Sequence, residues 1–384
     1  MYQIQTLNKI SKKGLAVLDS NYNCADEIDN PDGIILRSYK MHDMELPESL
    51  RAVARAGAGV NNIPIDKCTD AGIVVFNTPG ANANAVKELV IAALLLSSRK
   101  IVQGIEWAKT LAGEGDAVGA LVEKGKSNFV GPEIEGKTLG VVGLGAIGVR
   151  VANAAHHLGM DVVGFDPYLS VDAAWHLTRF AHKANSLDEV LQKADYITIH
   201  VPSTPSTKGM FNSEAFANMK KGSRLLNFSR GDLVDETDVQ EALENGALAT
   251  YITDFASEAL LKNDKVICMP HLGASTPESE ENCAVMAANE IKDFLENGNI
   301  KNSVNFPNCD MGKKTGDRIT ILHKNVPSMI KKITDVLDSV NIANMLNKSK
   351  GDNAYTMIDV DGKCDSASIA AISEMPEVIK VTLL

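Results

Sequence analysis

The stretch Leu139-Gly-Val-Val-Gly-Leu-Gly-Ala-Ile-Gly148 decides the fold of this chain. It joins a short apolar run to the spacing Gly-x-Gly-x-x-Gly, and residues 149–158 then follow with the apolar pattern of a helix. A strand that enters a helix through this spacing is typical of a dinucleotide-binding βαβ unit. Asp166 ends the next predicted strand 23 residues after Gly143, near the roughly 20-residue interval expected for an acidic residue that binds a ribose.

Each glycine of this motif has a physical role. Gly143 permits the tight turn, Gly145 lets the backbone approach a pyrophosphate, and Gly148 allows close packing of helix on strand. The amides of Ala146 and Ile147 begin the helix, where the helix dipole favours a phosphate. The alternative interpretation is a purely structural glycine-rich turn.

Asp166 bears on the choice between NAD and NADP. A carboxylate at this position accepts hydrogen bonds from both ribose hydroxyls and repels a 2′-phosphate. No arginine follows Asp166, because Pro167 and Tyr168 stand there instead. The sequence therefore predicts NAD as the cofactor.

Composition excludes several classes of protein. A chain of 384 residues with 45% apolar and 23% charged residues predicts two or three folded domains. The net charge of −11 disfavours nucleic acid and anionic membranes as partners. The six cysteines form no Cys-x-x-Cys pair, so we expect no disulfide framework and no metal site. Neither a membrane-spanning segment nor a secretion signal is predicted, and we expect a cytoplasmic protein.

Short β-rich runs alternate with helical patterns along most of the chain, which predicts an α/β fold with parallel, doubly wound sheets. The N-terminal runs are Leu15–Leu18, Gly33–Leu36 and Gly72–Phe76, followed by one long helix over Asn84–Ala112. The later predicted strands are Lys137–Val142, Asp161–Phe165, Tyr196–His200, Arg224–Asn227, Ala249–Thr253 and Lys265–Met269. Residues 318–384 have the order β-α-β-β-α-β, which predicts a small ferredoxin-like module.

Three polar residues follow predicted strands at the end of the sheet where ligands of α/β proteins bind: Arg230, Glu258 and His271. An imidazole can exchange a proton near neutral pH, and a carboxylate can orient it. A guanidinium can hold a substrate carboxylate in a planar, two-point contact. These residue types suit hydride transfer from a 2-hydroxy acid, whereas a structural histidine is the alternative interpretation of His271 alone.

The sequence from the glycine motif to Asn227-Phe-Ser-Arg-Gly231 and Pro270-His-Leu-Gly-Ala-Ser275 resembles the D-isomer-specific 2-hydroxyacid dehydrogenases. The resemblance covers essentially the whole chain, since Arg55-Ala-Gly-Ala-Gly-Val-Asn61 and Asn77-Thr-Pro-Gly-Ala-Asn82 resemble the substrate-domain loops of that family. It implies two Rossmann-like domains, of which the substrate domain is split by the NAD domain. The implied boundaries are 1–84 and 276–308 for the substrate domain, 85–275 for the NAD domain, 309–317 for a linker and 318–384 for the terminal module.

The resemblance also implies roles for individual residues. Arg230 would bind the substrate carboxylate, and Glu258 would be the partner of His271, the acid–base residue. The residues implied to contact NAD are Gly143, Gly145, Ala146, Ile147, Gly148, Asp166, Phe228, Ser229, Arg230, Thr253, Asp254, His271, Gly273 and Ala274. The family has an aspartate five residues before the glutamate, for the nicotinamide amide. Here that position is Thr253 and Asp254 follows it, so either residue could make the contact.

Substrate selection is expected to depend on a phosphate pocket. Arg37 and Arg55 match the phosphate-side arginines of the family and Lys40 adds positive charge, while solvated surface cations are the alternative. The residues implied to bind substrate are Arg37, Ser38, Arg55, Gly59, Val60 and Asn61. The implied reaction is NAD-dependent oxidation of D-3-phosphoglycerate to 3-phosphohydroxypyruvate, the first step towards L-serine. A glycerate or hydroxypyruvate reductase and a dinucleotide-sensing regulator without catalysis are the competing hypotheses.

The terminal module resembles an ACT domain, a small amino-acid sensor. The run His323-Lys-Asn325-Val-Pro327 resembles its ligand loop, and Asn341 stands where a partner asparagine follows the first helix. The resemblance implies an L-serine effector bound across the interface of a homodimer or homotetramer. Ser328 stands where a glycine usually follows the proline, and a purely oligomerising domain without a ligand is the alternative.

Overall fold

The computed structural model describes all 384 residues and divides the chain into two compact units. Unit 1 consists of Met1–Asn82 and Pro277–Leu384, and unit 2 of Ala83–Thr276. The predicted changes of domain at 84/85 and 275/276 lie within two residues of these divisions. The terminal module at 318–384 groups with the rest of unit 1.

The first segment of unit 1 forms a five-stranded parallel sheet in the order β2-β1-β3-β4-β5. Its elements are β1 (Tyr2–Leu7), α1 (Lys12–Leu15), β2 (Tyr22–Ala25), β3 (Gly33–Leu36), β4 (Ala52–Arg55), α2 (Ile65–Asp70) and β5 (Val74–Asn77). The predicted strand over Leu15–Leu18 is wrong. The Ser11 side chain accepts a hydrogen bond from the amide of Lys13 and starts helix α1 there.

Unit 2 forms a seven-stranded parallel sheet in the order β12-β11-β10-β9-β6-β7-β8. Its strands are β6 (Thr138–Val142), β7 (Asp161–Phe165), β8 (His182–Lys183), β9 (Tyr196–Ile199), β10 (Ser223–Asn227), β11 (Leu248–Thr253) and β12 (Val266–Cys268). Its helices are α3 (Ala83–Ser98), α4 (Ile101–Lys109), α5 (Val118–Gly125), α6 (Ala146–His157), α7 (Val171–His176), α8 (Leu187–Lys193), α9 (Ser213–Asn218), α10 (Glu236–Glu244) and α11 (Glu258–Leu261). The strand order reverses between β6 and β9, which is where ligands of such sheets bind.

The predicted helix over Asn84–Ala112 is wrong, because the chain forms α3 and α4 with a break at Arg99 and Lys100. Serine side chains near the end of a helix compete for backbone and neighbouring partners. Here the hydroxyl of Ser97 donates to the carbonyl of Leu94, and the hydroxyl of Ser98 pairs with that of Tyr196.

The last segment begins with a long helix and continues into an antiparallel sheet in the order β14-β15-β13-β16. Its elements are α12 (Pro277–Asn297), β13 (Arg318–Lys324), α13 (Met329–Val336), β14 (Asn341–Lys350), β15 (Asn353–Asp361), α14 (Ser366–Ser373) and β16 (Val378–Leu383). The predicted α/β class and the β-α-β-β-α-β order of this module are confirmed.

The terminal sheet shares a hydrophobic core with the first sheet of unit 1. Leu322, Tyr355 and Met357 belong to the same cluster of buried side chains as Ile4 and Phe294. Because the module buries one face of its sheet in this cluster, it forms a single compact unit with the residues before it. No helix of the chain is both long enough and apolar enough to cross a lipid bilayer.

Candidate active site

The glycine turn after β6 combines two crowded glycines with an open one. Gly143 has φ of 93°, and a Cβ there would lie 2.5 Å from the carbonyl oxygen of His200. A Cβ on Gly148 would lie 1.9 Å from the carbonyl oxygen of Gly143. No atom lies within 4 Å of the position that a Cβ on Gly145 would take, so a ligand can approach the backbone there.

Helix α6 begins at this turn with Gly145 as its N-cap and no side-chain cap. The amides of its first turn, from Ala146 and Ile147 onward, therefore have no capping partner from the protein's side chains. Uncapped amides at the positive end of a helix dipole suit a phosphate group. This cradle fits the pyrophosphate of a dinucleotide.

Asp166 follows β7 and is fixed beside the glycine turn. One carboxylate oxygen accepts a hydrogen bond from the amide of Leu144 and the other from the amide of Tyr168, both at 2.8 Å. Each oxygen keeps a further lone pair, because an ionised carboxylate offers about four acceptor positions. Asp166 is therefore held in place while it can still accept from ribose hydroxyls.

His200 was not predicted as part of this region, although it ends a predicted strand. Desolvation of its imidazole lowers its pKa to about 3, so the ring is neutral near pH 7. The Nε2 atom lies 2.9 Å from the hydroxyl oxygen of Thr198, and Nδ1 has no partner. Its carbonyl packs against Gly143, and it is this backbone contact that requires a glycine in the turn.

The loop after β10 presents Arg230 to solvent. The side-chain amide of the buried Asn227 donates to the carbonyl of Arg230 at 2.8 Å, and Nη1 of Arg230 donates to the carbonyl of Ser229 at 2.7 Å. The Ser229 hydroxyl donates to the carbonyl of Val201, while Phe228 is buried. These bonds hold the backbone of the loop and leave the Arg230 guanidinium exposed as a cation.

Asp254 and His271 follow the neighbouring strands β11 and β12. Asp254 is only 5% exposed, and burial raises the pKa of its carboxyl group while the charges of His271 and Arg230 oppose that rise. His271 is exposed, and the edge of one ring meets the face of the other where it contacts Phe255, with ring centroids 5.1 Å apart. Thr253 is buried, and its hydroxyl oxygen accepts a hydrogen bond from the amide of Phe255.

The structure does not bring Glu258 to His271. Ser257 caps helix α11 by accepting a hydrogen bond from the amide of Leu260, which makes Glu258 the first residue of that helix. Lys262 is then one turn further along, and its ammonium group donates to the Glu258 carboxylate at 2.6 Å. The Glu258 side chain is 84% exposed.

On the last loop of unit 2, Gly273 is buried against α3. A Cβ on Gly273 would lie 3.3 Å from Val86 and 3.9 Å from Oδ2 of Asp254. Ala274 follows it half-buried. The residues predicted to contact NAD therefore all lie at the carboxyl ends of the strands of the unit 2 sheet or at the start of α6.

In unit 1, Arg37 follows β3 and forms an ion pair. Its Nη1 lies 2.5 Å from Oε1 of Glu280, in the first turn of α12, and both side chains are nearly half exposed. An anion that binds Arg37 must therefore compete with the Glu280 carboxylate. This pairing could not be predicted, because the two residues are 243 positions apart.

Arg55 ends β4 and connects the two predicted substrate loops. Its Nε donates to the carbonyl of Arg37 at 3.0 Å and its Nη1 to the carbonyl of Gly59, where a Cβ would lie 2.9 Å from that nitrogen. Val60 is half-buried and Asn61 is exposed beyond it. The Arg55 guanidinium therefore orders both loops in addition to any contact with a ligand.

Asn8 is a residue of this region that sequence reasoning missed. It follows β1 with φ of 75°, and its side-chain oxygen accepts hydrogen bonds from the amides of Ser38 and Tyr39. Asn62 donates from the other side to the carbonyls of Arg37 and Tyr39. Strand β1 itself was not predicted, so nothing marked Asn8 as the residue at its end.

The predicted effector residues are separated within the chain. His323 is 2% exposed, and its ring nitrogens lie 2.8 Å from the carbonyl oxygen of Lys324 and 2.9 Å from the hydroxyl oxygen of Thr356. The side-chain amide of Asn325 donates to the carbonyl of Gly351, and the side-chain amide of Asn341 donates to the carboxylate of Asp361. On β15, His323 pairs opposite Ala354 and Asn341 opposite Asp361, so about 24 Å of extended strand separates them.

Comparison with known proteins identifies the family. The family description "D-isomer specific 2-hydroxyacid dehydrogenase, NAD binding domain" matches residues 91–273, within unit 2. A putative D-3-phosphoglycerate dehydrogenase of Schizosaccharomyces pombe is 30% identical over 363 residues, which cover 87% of this chain and 73% of that protein.

The chain belongs to the D-isomer-specific 2-hydroxyacid dehydrogenase family.

Other members of this family agree with that assignment. D-3-phosphoglycerate dehydrogenases of Bacillus subtilis and Methanocaldococcus jannaschii are each 34% identical and match 80% and 81% of this chain. The chain spans 59% and 58% of their respective lengths. A crystal structure of NAD+-bound 3-phosphoglycerate dehydrogenase of Entamoeba histolytica has a TM-score of 0.61 and 26% identity, covering 79% of this chain and 98% of that one.

These matches confirm the predicted NAD-binding domain and NAD as the cofactor. The glycine turn, the uncapped start of α6 and Asp166 are the features of the structure that fit NAD. The region that matches the family, residues 91–273, includes Arg230, Asp254 and His271.

Proposed function

We propose that this dehydrogenase oxidises D-3-phosphoglycerate to 3-phosphohydroxypyruvate with NAD, the first step towards L-serine. The observation that carries the proposal is the placement of Arg230, Asp254 and His271 after three adjacent strands, β10, β11 and β12, in a family member whose curated relatives are D-3-phosphoglycerate dehydrogenases. A guanidinium, a buried carboxylate and an exposed imidazole are the groups that oxidation of a 2-hydroxy acid requires.

In this mechanism Arg230 holds the substrate carboxylate through a charge-assisted, two-point contact. The His271 imidazole accepts the proton of the C2 hydroxyl as the carbonyl forms, and it later releases that proton to solvent. Bound NAD supplies the acceptor for the hydride that leaves C2. Arg230 and His271 therefore act on opposite sides of the same carbon, one on its carboxylate and the other on its hydroxyl.

The Arg37 loop is the part of the chain that we assign to the substrate phosphate. Its support is the resemblance of the loop to the family pattern together with the exposure of about 40% of the Arg37 side chain. A phosphate carries more negative charge than the Glu280 carboxylate, so it can displace that partner from Arg37. Arg55, Asn8 and Asn62 keep the backbone of the loop in place.

Initial rates with NADH separate the candidate reactions. We expect the ratio of kcat/KM for phosphohydroxypyruvate to that for hydroxypyruvate to be large, and to fall roughly ten- to a hundredfold in Arg37→Ala. Lys9→Ala, on the turn after β1, is the matched cationic control and should leave the ratio unchanged. Equal rates with both substrates in the wild-type protein would favour the hydroxypyruvate reductase instead.

His271→Ala tests whether the chain is a catalyst at all. Loss of the acid–base group should lower kcat at least a hundredfold, while NADH binding measured by fluorescence stays close to the wild-type value. A folded His271→Ala protein with near-normal turnover would remove His271 from the mechanism. Tight NADH binding without turnover of any 2-oxo acid by the wild type would support the dinucleotide-sensing regulator.

The terminal module is, in this proposal, an ACT-type domain that binds L-serine between two copies of the chain. Its sheet order, with two helices in the module, supports that identity. Asn325 is exposed and can contact an effector, whereas His323 is buried with both ring nitrogens bonded and supports the sheet. L-serine should inhibit the wild type more strongly than Asn325→Ala. An identical rate with and without L-serine would favour a purely oligomerising module.

A homodimer is also part of the proposal. Helices α4 and α5 contain no buried residue, and apolar side chains are exposed on both: Ile101, Ile105, Val118 and Val122. Exposed apolar side chains on helices without a buried residue favour a protein interface, and we assign a second copy of the chain to these two helices. Sedimentation velocity should show a dimer that Ile105→Asp weakens, and a monomeric wild type would contradict the assignment.

A further inference from the structure

A small cavity lies where the terminal module packs against the rest of unit 1. Its volume is about 10 Å³, which leaves room for one particle of about the size of a water molecule. Strands β13, β15 and β16 contribute to its lining, together with α12 and the chain next to β4 and β5. The polar residues of the lining are two cations, Arg51 and Lys380, and three residues with hydroxyl groups, Thr320, Tyr355 and Thr382.

Lys380 reaches across this junction from β16 of the module. Its ammonium group donates to the carbonyls of Glu48 at 3.3 Å and Leu50 at 3.0 Å, in the loop before β4. Because an ammonium group has three N–H donors, one of them remains without an acceptor in the protein. The stem of the side chain packs on Gly72, where a Cβ would lie 2.8 Å from Cβ of Lys380. These contacts fix the Lys380 side chain at the cavity.

Arg51 lies on the other side of the junction, directly before β4. Its guanidinium is over the ring of Phe294, 5.8 Å from the centroid, and it forms neither a hydrogen bond nor an ion pair in the structure. Burial lowers the pKa of the Lys380 ammonium, and the positive charge of Arg51 lowers it further. The two cations therefore repel each other across the lining of one cavity.

The other groups at the cavity do not balance these charges. No carboxylate belongs to the lining, and the exposed Glu48 acts on Lys380 more weakly than Arg51 does. The hydroxyl of Thr320 donates to the carbonyl of Thr382 at 3.3 Å, and that of Tyr355 to the carbonyl of Gly298 at 2.7 Å. The guanidinium of Arg51, one N–H of Lys380 and the hydroxyl of Thr382 are thus free to donate.

This set of donors favours an anion over a water molecule. A water oxygen accepts two hydrogen bonds and leaves the repulsion between the cations in place. An anion accepts from all three groups and adds the opposite charge that two partly desolvated cations need.

We propose that this cavity binds a single monovalent anion of the size of chloride between Arg51 and Lys380, and that the anion fastens the terminal module to the rest of unit 1. A phosphate or a carboxylate ligand is too large for the cavity. None of the residues involved belongs to the candidate active site, so the proposal does not depend on the proposed function.

Urea unfolding of the full chain tests the proposal when sodium chloride replaces sodium gluconate at constant ionic strength. An ion that binds only the folded chain stabilises it by mass action. The circular-dichroism midpoint of unit 1 should therefore rise with chloride concentration, and bromide should act as chloride does. The fluorescence of Trp107 and Trp175 reports unit 2, whose midpoint should stay constant. A unit 1 midpoint that does not respond to chloride, or an equal shift in both units, overturns the proposal.

Two variants locate the response. Arg51→Gln and Lys380→Gln each remove one of the two charges, so the midpoint of unit 1 should no longer rise with chloride. Lys331→Gln is the matched control, since Lys331 is an exposed lysine on α13 of the same module, and it should keep the full response. A response in Arg51→Gln as large as that of the wild type would show that chloride acts elsewhere.

Crystals of the wild-type chain grown in sodium bromide give a readout that does not depend on the folding of any variant. We expect an anomalous-scattering peak in the cavity, in contact with Nζ of Lys380 and the guanidinium of Arg51. The absence of a peak there would assign the cavity to water and refute the site. A peak without any chloride response in solution would mean an adventitious ion only, which also overturns the proposal.

Discussion

At the scale of single residues, Asp166 combines a structural and a recognition role. Its carboxylate accepts hydrogen bonds from the amides of Leu144 and Tyr168, which holds the glycine turn in place. The same carboxylate would bind the ribose hydroxyls of the cofactor. A carboxylate that two backbone amides hold in this position repels a 2′-phosphate placed beside it.

We therefore expect Asp166→Ala to weaken NADH binding far more than NADPH binding and so to narrow the preference between them. Fluorescence titration with the two cofactors measures both affinities. Asp161→Ala, at the exposed start of the same strand, is the matched control and should change neither. A wild-type protein that binds NADPH as tightly as NADH would contradict the role of Asp166.

Glu290 offers a second prediction at this scale, since it is a buried carboxyl group outside the active site. It accepts a hydrogen bond from Asn302 at 2.8 Å through one oxygen, while the other has no partner. Burial raises its pKa from the ordinary value of 4.5 to about 8. Below pH 4.5 both the folded and the unfolded chain hold the proton, and between pH 4.5 and 8 only the folded chain does. The contribution of Glu290 to stability therefore decreases as pH rises through that window.

Glu290→Gln removes this titration, so its stability relative to the wild type should increase with pH. We expect little difference between the two proteins near pH 4.5 and a gain of about 4–5 kcal/mol for Glu290→Gln near pH 9, because each unit of the pKa shift corresponds to about 1.4 kcal/mol. Urea unfolding at the two pH values measures the difference. A gain that is the same at both values would show that Glu290 is ionised in the folded chain.

The residue scale is also where sequence alone reached its limit. The glycine turn and Asp166 could be predicted, because they lie close together in the sequence and the backbone conformation of the turn requires glycine at defined positions. The ion pair of Arg37 with Glu280 and the pairing of Glu258 with Lys262 were not predicted. Glu280 lies 243 positions after Arg37, and the Glu258–Lys262 pair forms because Ser257 caps a helix that begins at Glu258.

At the scale of elements, helix α13 begins under strain. Its N-cap, Ser328, has φ of 69°, a left-handed backbone conformation that destabilises a non-glycine residue. The Ser328 side chain makes no capping hydrogen bond that would offset this strain. Ser328→Gly should stabilise unit 1 by about 1 kcal/mol, measured as a shift in its urea midpoint. Ser328→Ala is the control, because it removes the hydroxyl but keeps the Cβ, and it should not stabilise. Equal effects of the two variants would place the strain elsewhere.

Helices and strands could be predicted from the sequence where one face, or the whole element, is buried and the apolar residues follow a regular pattern. Strands such as β3 and β7 are short β-branched runs buried in a parallel sheet, and their observed bounds equal the predicted ones. The strand predicted at Leu15–Leu18 was wrong because helix α1 is stabilised by packing against a residue far away in the sequence. A Cβ on Gly14 would lie 2.5 Å from Cβ of Ala284, so α1 forms where it can pack tightly on α12. That partner lies 270 residues later in the chain.

At the scale of the whole molecule, the terminal module is fastened to unit 1 by polar contacts as well as by a shared core. Arg318 is 1% exposed, forms two hydrogen bonds with the Asp359 carboxylate, and donates to the carbonyls of Asn297 and Gly312. The buried hydroxyl of Tyr355 donates to the carbonyl of Gly298 at 2.7 Å. Since both residues bond the chain just after α12, the end of that helix depends on the module.

Removal of residues 318–384 should therefore destabilise the rest of unit 1 and leave unit 2 intact. Truncation exposes the side of the core that Leu322, Tyr355 and Met357 cover, and it leaves carbonyls of the segment after α12 without donors. Both tryptophans, Trp107 and Trp175, lie in unit 2, so tryptophan fluorescence reports that unit alone.

Thermal unfolding of the truncated chain should thus show a circular-dichroism transition of unit 1 at lower temperature than in the full chain. The tryptophan fluorescence transition of unit 2 should keep its midpoint temperature, and NADH should still bind. The matched control within the full chain is Tyr355→Phe, which removes only the hydroxyl and should lower the midpoint of unit 1 by a smaller amount, corresponding to about 1–2 kcal/mol. A truncated chain whose two transitions both match those of the full chain would mean that the module adds no stability to unit 1. Its shared core would then be a surface contact that the substrate domain can lose without cost.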